Sequence, residues 1–146
     1  MILKSKLPNV GTTIFTTMSN LANKHNAINL SQGFPNFKGN QKLVDLVVKA
    51  MNNNYNQYAP MLGAIQLREA IAAKFFSLYN AIYNSENEIV VTCGATQAIY
   101  TIISAFIHVN DEVILFKPAY DCYEPAITVN GGKTVAIQLN YPDYKV

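Results

Sequence analysis

The sequence is poor in charged residues. They make up 14% of the 146 residues, whereas ~25% is usual in a globular protein. The net charge of +2 is carried by singly dispersed lysines, which argues against a nucleic-acid-binding surface. Half of the residues are hydrophobic, enough to bury one core. The low charge therefore indicates that much of the surface is covered by further chain or by a partner.

Cysteine is also scarce. Cys93 and Cys122 are the two cysteines, and neither belongs to a Cys-x-x-Cys pair or stands near a histidine pair at metal-ligand spacing. This pattern predicts neither a disulfide framework nor a metal site, and it favours a reducing, cytoplasmic location. No window approaches the ~20 apolar residues of a membrane span, and the N-terminus lacks the apolar run of a signal peptide. We expect no membrane association.

The hydrophobic spacing predicts an α/β protein. Strands that alternate with helices of ~10–15 residues are typical of a sheet with crossover connections. The pattern predicts helices over 41–51, 67–79, 96–108 and about 121–129, and strands over 88–92, 112–116 and 133–139. On the second helix, Arg68 and Glu69 are expected to form a solvated or salt-bridged face.

The strand predicted at 88–92 passes directly into a helix through the short turn Cys93–Gly94. In an open α/β sheet, ligands bind beyond the carboxyl ends of the strands, where a helix start offers N–H groups and a positive dipole end. The small residues Gly94, Ala95 and Thr96 would let a phosphate approach the backbone. Small residues also begin helices without any ligand, and the turn alone leaves both interpretations open. Neither G-x-G-x-x-G nor a P-loop lysine is present, so a dinucleotide site is not indicated.

Five segments occur together in a familiar order and spacing. They are "NLSQGFPNF", "NQYAPMLGAIQLREAIA", "VTCGATQAIY", "DEVILFKPAYDCYEPAI" and "NGG". From about Pro8 onward the chain resembles the N-terminal part of the fold type I (class I/II) aminotransferases that depend on pyridoxal 5'-phosphate (PLP). Among these it is most similar to the methionine aminotransferase and kynurenine aminotransferase branch.

The resemblance implies an incomplete version of that fold. Residues 1–42 would form an N-terminal arm and a substrate-side loop. Residues 43–146 would form the first part of the large PLP-binding domain, an α/β unit whose mixed, mostly parallel sheet is flanked by helices.

The resemblance also implies a cofactor site. Ala95 and Thr96 match the positions that hold the PLP phosphate, with Gln97 beside them. Tyr120 matches the aromatic residue that stacks on the pyridine ring. Tyr58 matches a hydroxyl that reaches the phosphate in the neighbouring subunit, so a homodimer is expected.

On the substrate side, Gly33 matches a backbone N–H near the substrate carboxylate, and Phe15 matches an aromatic residue that closes over the substrate. The lysine that forms the Schiff base and the carboxylate that protonates the pyridine nitrogen come from later in the family's sequence. None of the ten lysines here has the family's context for that role, and Lys117 is not assigned to it. We expect no catalytic residue in this chain and no activity from the chain alone.

As part of a longer enzyme, the chain is expected to serve amino-group transfer between a methionine-type or aromatic amino acid and a 2-oxo acid. Two alternatives stay open. A β-lyase acting on cysteine conjugates shares the same early motifs. A truncated, non-catalytic module would bind a phosphate or a partner chain.

Overall fold

A computed structural model of the chain describes residues 3–33 and 35–146. Met1, Ile2 and Phe34, which belong to the predicted arm and its loop motif, lie outside the described residues. The described residues form five helices and two strands. In chain order these are α1 (Ile14–Lys24), α2 (Gln41–Asn52), α3 (Ile65–Tyr79), α4 (Ala95–Phe106), β1 (Glu112–Lys117), α5 (Tyr123–Val129) and β2 (Lys133–Gln138).

Six of these seven elements confirm predictions from the hydrophobic spacing, with small shifts at the ends. The helix α1, in the predicted arm, was not predicted. Thr13 caps it by accepting a hydrogen bond from the Thr16 N–H at 3.3 Å. Ile14, Met18 and Leu21 follow at helical spacing. Among the described residues, no helix combines the length and the apolar character needed to cross a bilayer.

The strand predicted at 88–92 is wrong. The segment is irregular, although it is β-branched and although Ile89 is buried. The Val91 N–H donates to the carbonyl oxygen of Leu62 at 3.0 Å, and Leu62 lies in a loop. A strand is defined by a ladder of bonds to a neighbouring strand, and composition alone cannot supply that neighbour.

The sheet that forms is parallel and two-stranded. β1 pairs with β2 in a register that runs from Glu112 opposite Lys133 to Lys117 opposite Gln138. The crossover helix α5 packs against both strands and contributes the buried residues Ala126 and Ile127. Side chains alternate across a strand, and β1 accordingly alternates between partly covered and exposed positions.

The opposite side of this sheet is apolar and exposed, and we call it the open sheet face. It consists of paired residues from neighbouring strands, because Ile114 stands opposite Val135 and Phe116 stands opposite Ile137. Ile114 is 63% exposed and Phe116 is 43% exposed. This face agrees with the low charge of the sequence, which predicted a surface that something else covers.

The described residues group into two compact units. One unit combines the described residues up to Gln32 with Cys93–Val146, and the other comprises the described residues from Gly33 to Thr92. The first unit contains the sheet, α1, α4 and α5, and the second contains α2 and α3. The expected boundary between an arm and a cofactor domain at residue 42 stays a prediction.

The prediction that Arg68 lies on a solvated or salt-bridged helix face is wrong. Its side chain is buried in the second unit, 7% exposed, and it donates hydrogen bonds to the backbone carbonyls of Gly63, Ser85 and Glu86. Helical spacing did not reveal this, because the partners of Arg68 are loop carbonyls, which carry no side-chain signature. Glu69, the next residue, is exposed as expected.

Candidate functional site

The start of helix α4 is the centre of the candidate site. Gly94 is its N-cap, with φ 86° and ψ 168°, and Ala95 is the first helical residue. Glycine has no side chain with which to cap a helix, and α4 makes no side-chain cap hydrogen bond. The first-turn N–H groups of a helix have no intrahelical partner. The start of α4 therefore offers donors and the positive end of the helix dipole to an external acceptor.

The space in front of this helix start is open. A Cβ atom built on Gly94 would meet no atom within 4 Å apart from its chain neighbours. Ala95 and Thr96 are exposed. A small anion such as a phosphate group can thus approach the backbone without displacing a side chain, so the residues present fit such a group.

Thr96 and Gln97 also border a depression between α4 and α5. The depression has a volume of ≈ 500 Å³, and Cys93, Cys122 and Pro125 contribute to its lining. Most of the other lining side chains are apolar, from Leu7, Ile99, Tyr100, Ala126 and Val129. Both cysteines, which lie in the described part of the chain, are free thiols.

Gln97 holds the turn that precedes α4. Its side-chain Oε1 accepts a hydrogen bond from the backbone N–H of Cys93 at 2.6 Å. This contact resembles half of a capping box, in which the residue at the third helical position reaches back to the N-cap N–H. Here the reach is one residue longer, to the residue before the N-cap.

Tyr120 follows β1 and presents a ring to solvent. It is 53% exposed, and its ring centroid lies 6.0 Å from that of Phe15, with an interplanar angle of 36°. Tyr123 flanks it at 6.1 Å. These separations are typical of interacting aromatic rings. The structure thus brings together Phe15 and Tyr120, which are far apart in sequence.

Tyr120 also borders a second depression, of ≈ 610 Å³. On its wall the Lys117 Nζ forms an ion pair with the Glu124 Oε2 at 2.7 Å. Both partners are half-exposed. This ion pair engages Lys117 with a carboxylate.

The other two residues singled out from the sequence belong to the second unit. Tyr58 is fully exposed. Gly33 is exposed, and no atom lies within 4 Å of a Cβ built on it. The roles expected for both residues stay predictions.

Sequence reasoning missed three features of the site. The hydrogen bond between Gln97 and Cys93 has a local signal, since a glutamine at the third helical position commonly reaches back. The ion pair of Lys117 with Glu124 had no such signal, because it joins the end of a strand to a later helix. The contact of Phe15 with Tyr120 depends on tertiary structure and had no signal either.

The chain matches a known protein family. The family model for class I and II aminotransferases matches residues 25–145. The chain therefore belongs to the class I and II aminotransferase family.

Two relatives illustrate the similarity. The methionine aminotransferase of Escherichia coli is 49% identical over 146 residues, which is 100% of this chain and 38% of the relative. The kynurenine–oxoglutarate transaminase of Dictyostelium discoideum is 35% identical over 123 residues, which is 84% of this chain and 28% of the relative. The chain thus spans about two fifths of the length of the first relative and a smaller share of the second.

Solved structures similar to this chain are also aminotransferases. A crystal structure of a methionine aminotransferase from Escherichia coli has a TM-score of 0.95 at 49% identity, covering 100% of this chain and 38% of that one. The N-succinyldiaminopimelate aminotransferase of Mycobacterium tuberculosis has a TM-score of 0.88 at 37% identity, covering 97% of this chain and 37% of that one. The fold is that of the N-terminal part of these enzymes.

Proposed function

We propose that this chain is the N-terminal part of a PLP-dependent enzyme that transfers an amino group from a methionine-type or aromatic amino acid to a 2-oxo acid. The observation that carries the proposal is the uncapped start of α4 behind an open Gly94, in a chain that belongs to the class I and II aminotransferases. The similarity to a methionine aminotransferase over the whole chain supports the choice of amino donor.

In this proposal the start of α4 binds the phosphate group of the cofactor. The backbone N–H groups of Ala95 and Thr96 and the Thr96 hydroxyl donate hydrogen bonds, while the helix dipole favours the negative charge. Hydrogen bonds to a charged acceptor are stronger than those between neutral groups. The exposed position of Thr96 leaves its hydroxyl accessible for this role.

Tyr120 supplies a flat surface for the pyridine ring, and Phe15 lies beside it on the substrate side. When bound, PLP supplies an aldehyde that binds amines and a ring that accepts electrons. Tyr120 would orient that ring by stacking. The contact with Phe15 would limit the tilt of the Tyr120 ring.

The proposal includes a homodimer and a cytoplasmic location. Tyr58 would donate its hydroxyl to the phosphate in the neighbouring subunit, and its full exposure supports a role that needs an external partner. Gly33 would offer its backbone N–H to the substrate carboxylate, and the free space around it supports a close approach. Two free cysteines agree with a reducing compartment.

The phosphate site can be tested with pyridoxamine 5'-phosphate, which carries the phosphate and the ring but has no aldehyde to react with lysines. Binding would be followed by the fluorescence of the ligand. We expect Thr96→Asp to weaken binding by about tenfold or more, because a carboxylate would face a phosphate dianion. Thr96→Ser keeps the hydroxyl and is expected to bind nearly as well as the wild type. Equal binding by the Asp variant and the wild type would end the phosphate-site proposal.

The reaction can be tested with the protein expressed from its complete gene. We expect it to transfer the amino group of methionine or phenylalanine to a 2-oxo acid, detected as the oxo acid formed from the donor. A cysteine-conjugate substrate run in parallel would release pyruvate and a thiol if the protein is a β-lyase. Thiol release without transamination would favour that alternative over our proposal.

A further inference from the structure

The contact between Gln97 and Cys93 encloses the turn at the start of α4. The 2.6 Å hydrogen bond joins the Gln97 side chain to the Cys93 N–H, and the chain between them consists of Gly94, Ala95 and Thr96. Of these, Ala95 and Thr96 open the helix, and first-turn N–H groups have no intrahelical partner. The side chain of Gln97 therefore bridges the two ends of the short backbone segment that the proposed phosphate site uses.

This turn needs such support. Gly94 has φ 86° and ψ 168°, a region of backbone conformation that is essentially restricted to glycine. Glycine also loses more conformational freedom on folding than any other residue. Little space is filled around it, since a Cβ built on Gly94 would touch nothing beyond its chain neighbours. No packing against a Cβ position fixes Gly94, and the hydrogen bond from the Cys93 N–H to Gln97 helps to hold the turn.

The acceptor of Gln97 is already engaged. An amide side chain has one oxygen that accepts and one nitrogen that donates, and the oxygen is directed back to Cys93. A phosphate needs donors, so the Gln97 oxygen has no direct part in holding it. What the side chain does in the structure is to fix the backbone before the helix.

We propose that Gln97 is a positioning residue that holds the Cys93–Gly94 backbone in the shape needed for the Ala95 and Thr96 groups to reach a phosphate. The inference rests on the proposed function, which places the phosphate at the start of α4. Gln97 would raise the affinity for the cofactor phosphate without contacting it, through its hydrogen bond with the Cys93 N–H.

Two substitutions separate this role from direct contact with the ligand. Gln97→Met has a similar volume and only a weak acceptor, the thioether sulfur. Gln97→Glu keeps an acceptor oxygen for the Cys93 N–H and removes the donor nitrogen. The first readout is hydrogen exchange of the Cys93 amide in the full chain without ligand, measured by NMR. We expect about fivefold faster exchange in Gln97→Met, as for the loss of one hydrogen bond, and near wild-type exchange in Gln97→Glu.

The second readout is affinity for pyridoxamine 5'-phosphate. We expect Gln97→Met to bind it several-fold more weakly than the wild type. If Gln97→Met weakens binding while the Cys93 amide keeps its wild-type exchange rate, Gln97 contacts the ligand directly and the positioning role is wrong. Unchanged exchange together with unchanged binding also overturns it.

The two proposals fail in different ways. If the wild type does not bind the probe, the phosphate site is wrong, whereas the exchange of the Cys93 amide still reports whether Gln97 fixes the turn. Amides of the β1–β2 ladder show whether the unit stays folded in each variant. If these amides lose their protection from exchange in Gln97→Met, the test is repeated with Gln97→Asn. The asparagine side chain stays polar but is one methylene too short to reach the Cys93 N–H in the same way.

Discussion

The Nε of Arg68 donates a hydrogen bond to the carbonyl oxygen of Gly63 at 3.1 Å. The same guanidinium reaches the carbonyls of Ser85 and Glu86 through Nη1. A single side chain of α3 thus joins the loop before that helix to a loop that follows it. Among the described residues no carboxylate forms an ion pair with Arg68, and its charge is met by backbone dipoles.

We predict that Arg68→Met destabilises the chain by about 2–4 kcal/mol. The methionine fills part of the volume but leaves the carbonyls of Gly63, Ser85 and Glu86 without their donor. Gly63 is buried, Ser85 is half-buried and Glu86 is exposed, and an unsatisfied buried group costs ~1–3 kcal/mol. The free energy of unfolding would be measured with urea and followed by circular dichroism. Glu69→Gln, on the exposed neighbouring position, is the control and should change stability by less than about 0.5 kcal/mol. Equal stability of the Met variant and the wild type would contradict the anchoring role.

Gly63 is expected to tolerate no side chain. It has φ +97°, and a Cβ built on it would lie 2.7 Å from Cβ and Cγ2 of Val91. Val91 is β-branched and cannot turn away easily. We predict that Gly63→Ala costs about 2–4 kcal/mol, from backbone strain and overpacking together. Gly39 lies in the same unit with no atom near its Cβ position, so Gly39→Ala should be nearly neutral. Similar losses in both variants would show that the contact with Val91 is unimportant.

Tyr120 is predicted to bind the cofactor through its ring and not through its hydroxyl. Tyr120→Ala should weaken the binding of pyridoxamine 5'-phosphate several-fold, because aromatic stacking contributes about 0.5–1.5 kcal/mol beyond the buried area. Tyr120→Phe keeps the ring and should bind nearly as well as the wild type. A titration followed by ligand fluorescence measures both. Wild-type affinity in the Ala variant would remove Tyr120 from the site.

The 146-residue chain by itself is predicted to lack aminotransferase activity. It contains ten lysines, and none has the family's context for the Schiff base. With PLP followed by borohydride reduction, we expect label scattered over several lysines, because a free aldehyde reacts with exposed amines. Peptide mapping and an assay with methionine and a 2-oxo acid would test this. One stoichiometrically labelled lysine with measurable turnover would contradict the prediction.

The sequence predicted those parts of the structure that depend on local spacing. The helix that begins at Ala95 and the sheet strands at 112 and 133 are encoded by periodic apolar residues and lie close to where they were expected. Helix α1 has the same signal in Ile14, Met18 and Leu21, but the resemblance implies an arm there without specifying its secondary structure.

Features that depend on distant partners were not predictable in the same way. The segment around Ile89 has the composition of a strand and forms none, because pairing requires a neighbour that composition does not specify. The buried position of Arg68 depends on loop carbonyls, which any residue can supply. In the candidate site, the contact of Phe15 with Tyr120 joins segments that no local pattern connects.

The composition of the open sheet face also determines how a neighbour would bind there. Its paired residues, Ile114 with Val135 and Phe116 with Ile137, carry no charge, so binding there should depend little on ionic strength. Removing such a surface from water lowers the heat capacity, and the attraction weakens as the temperature falls. Cooling should therefore weaken binding at this face, whereas a change in salt concentration should affect it little.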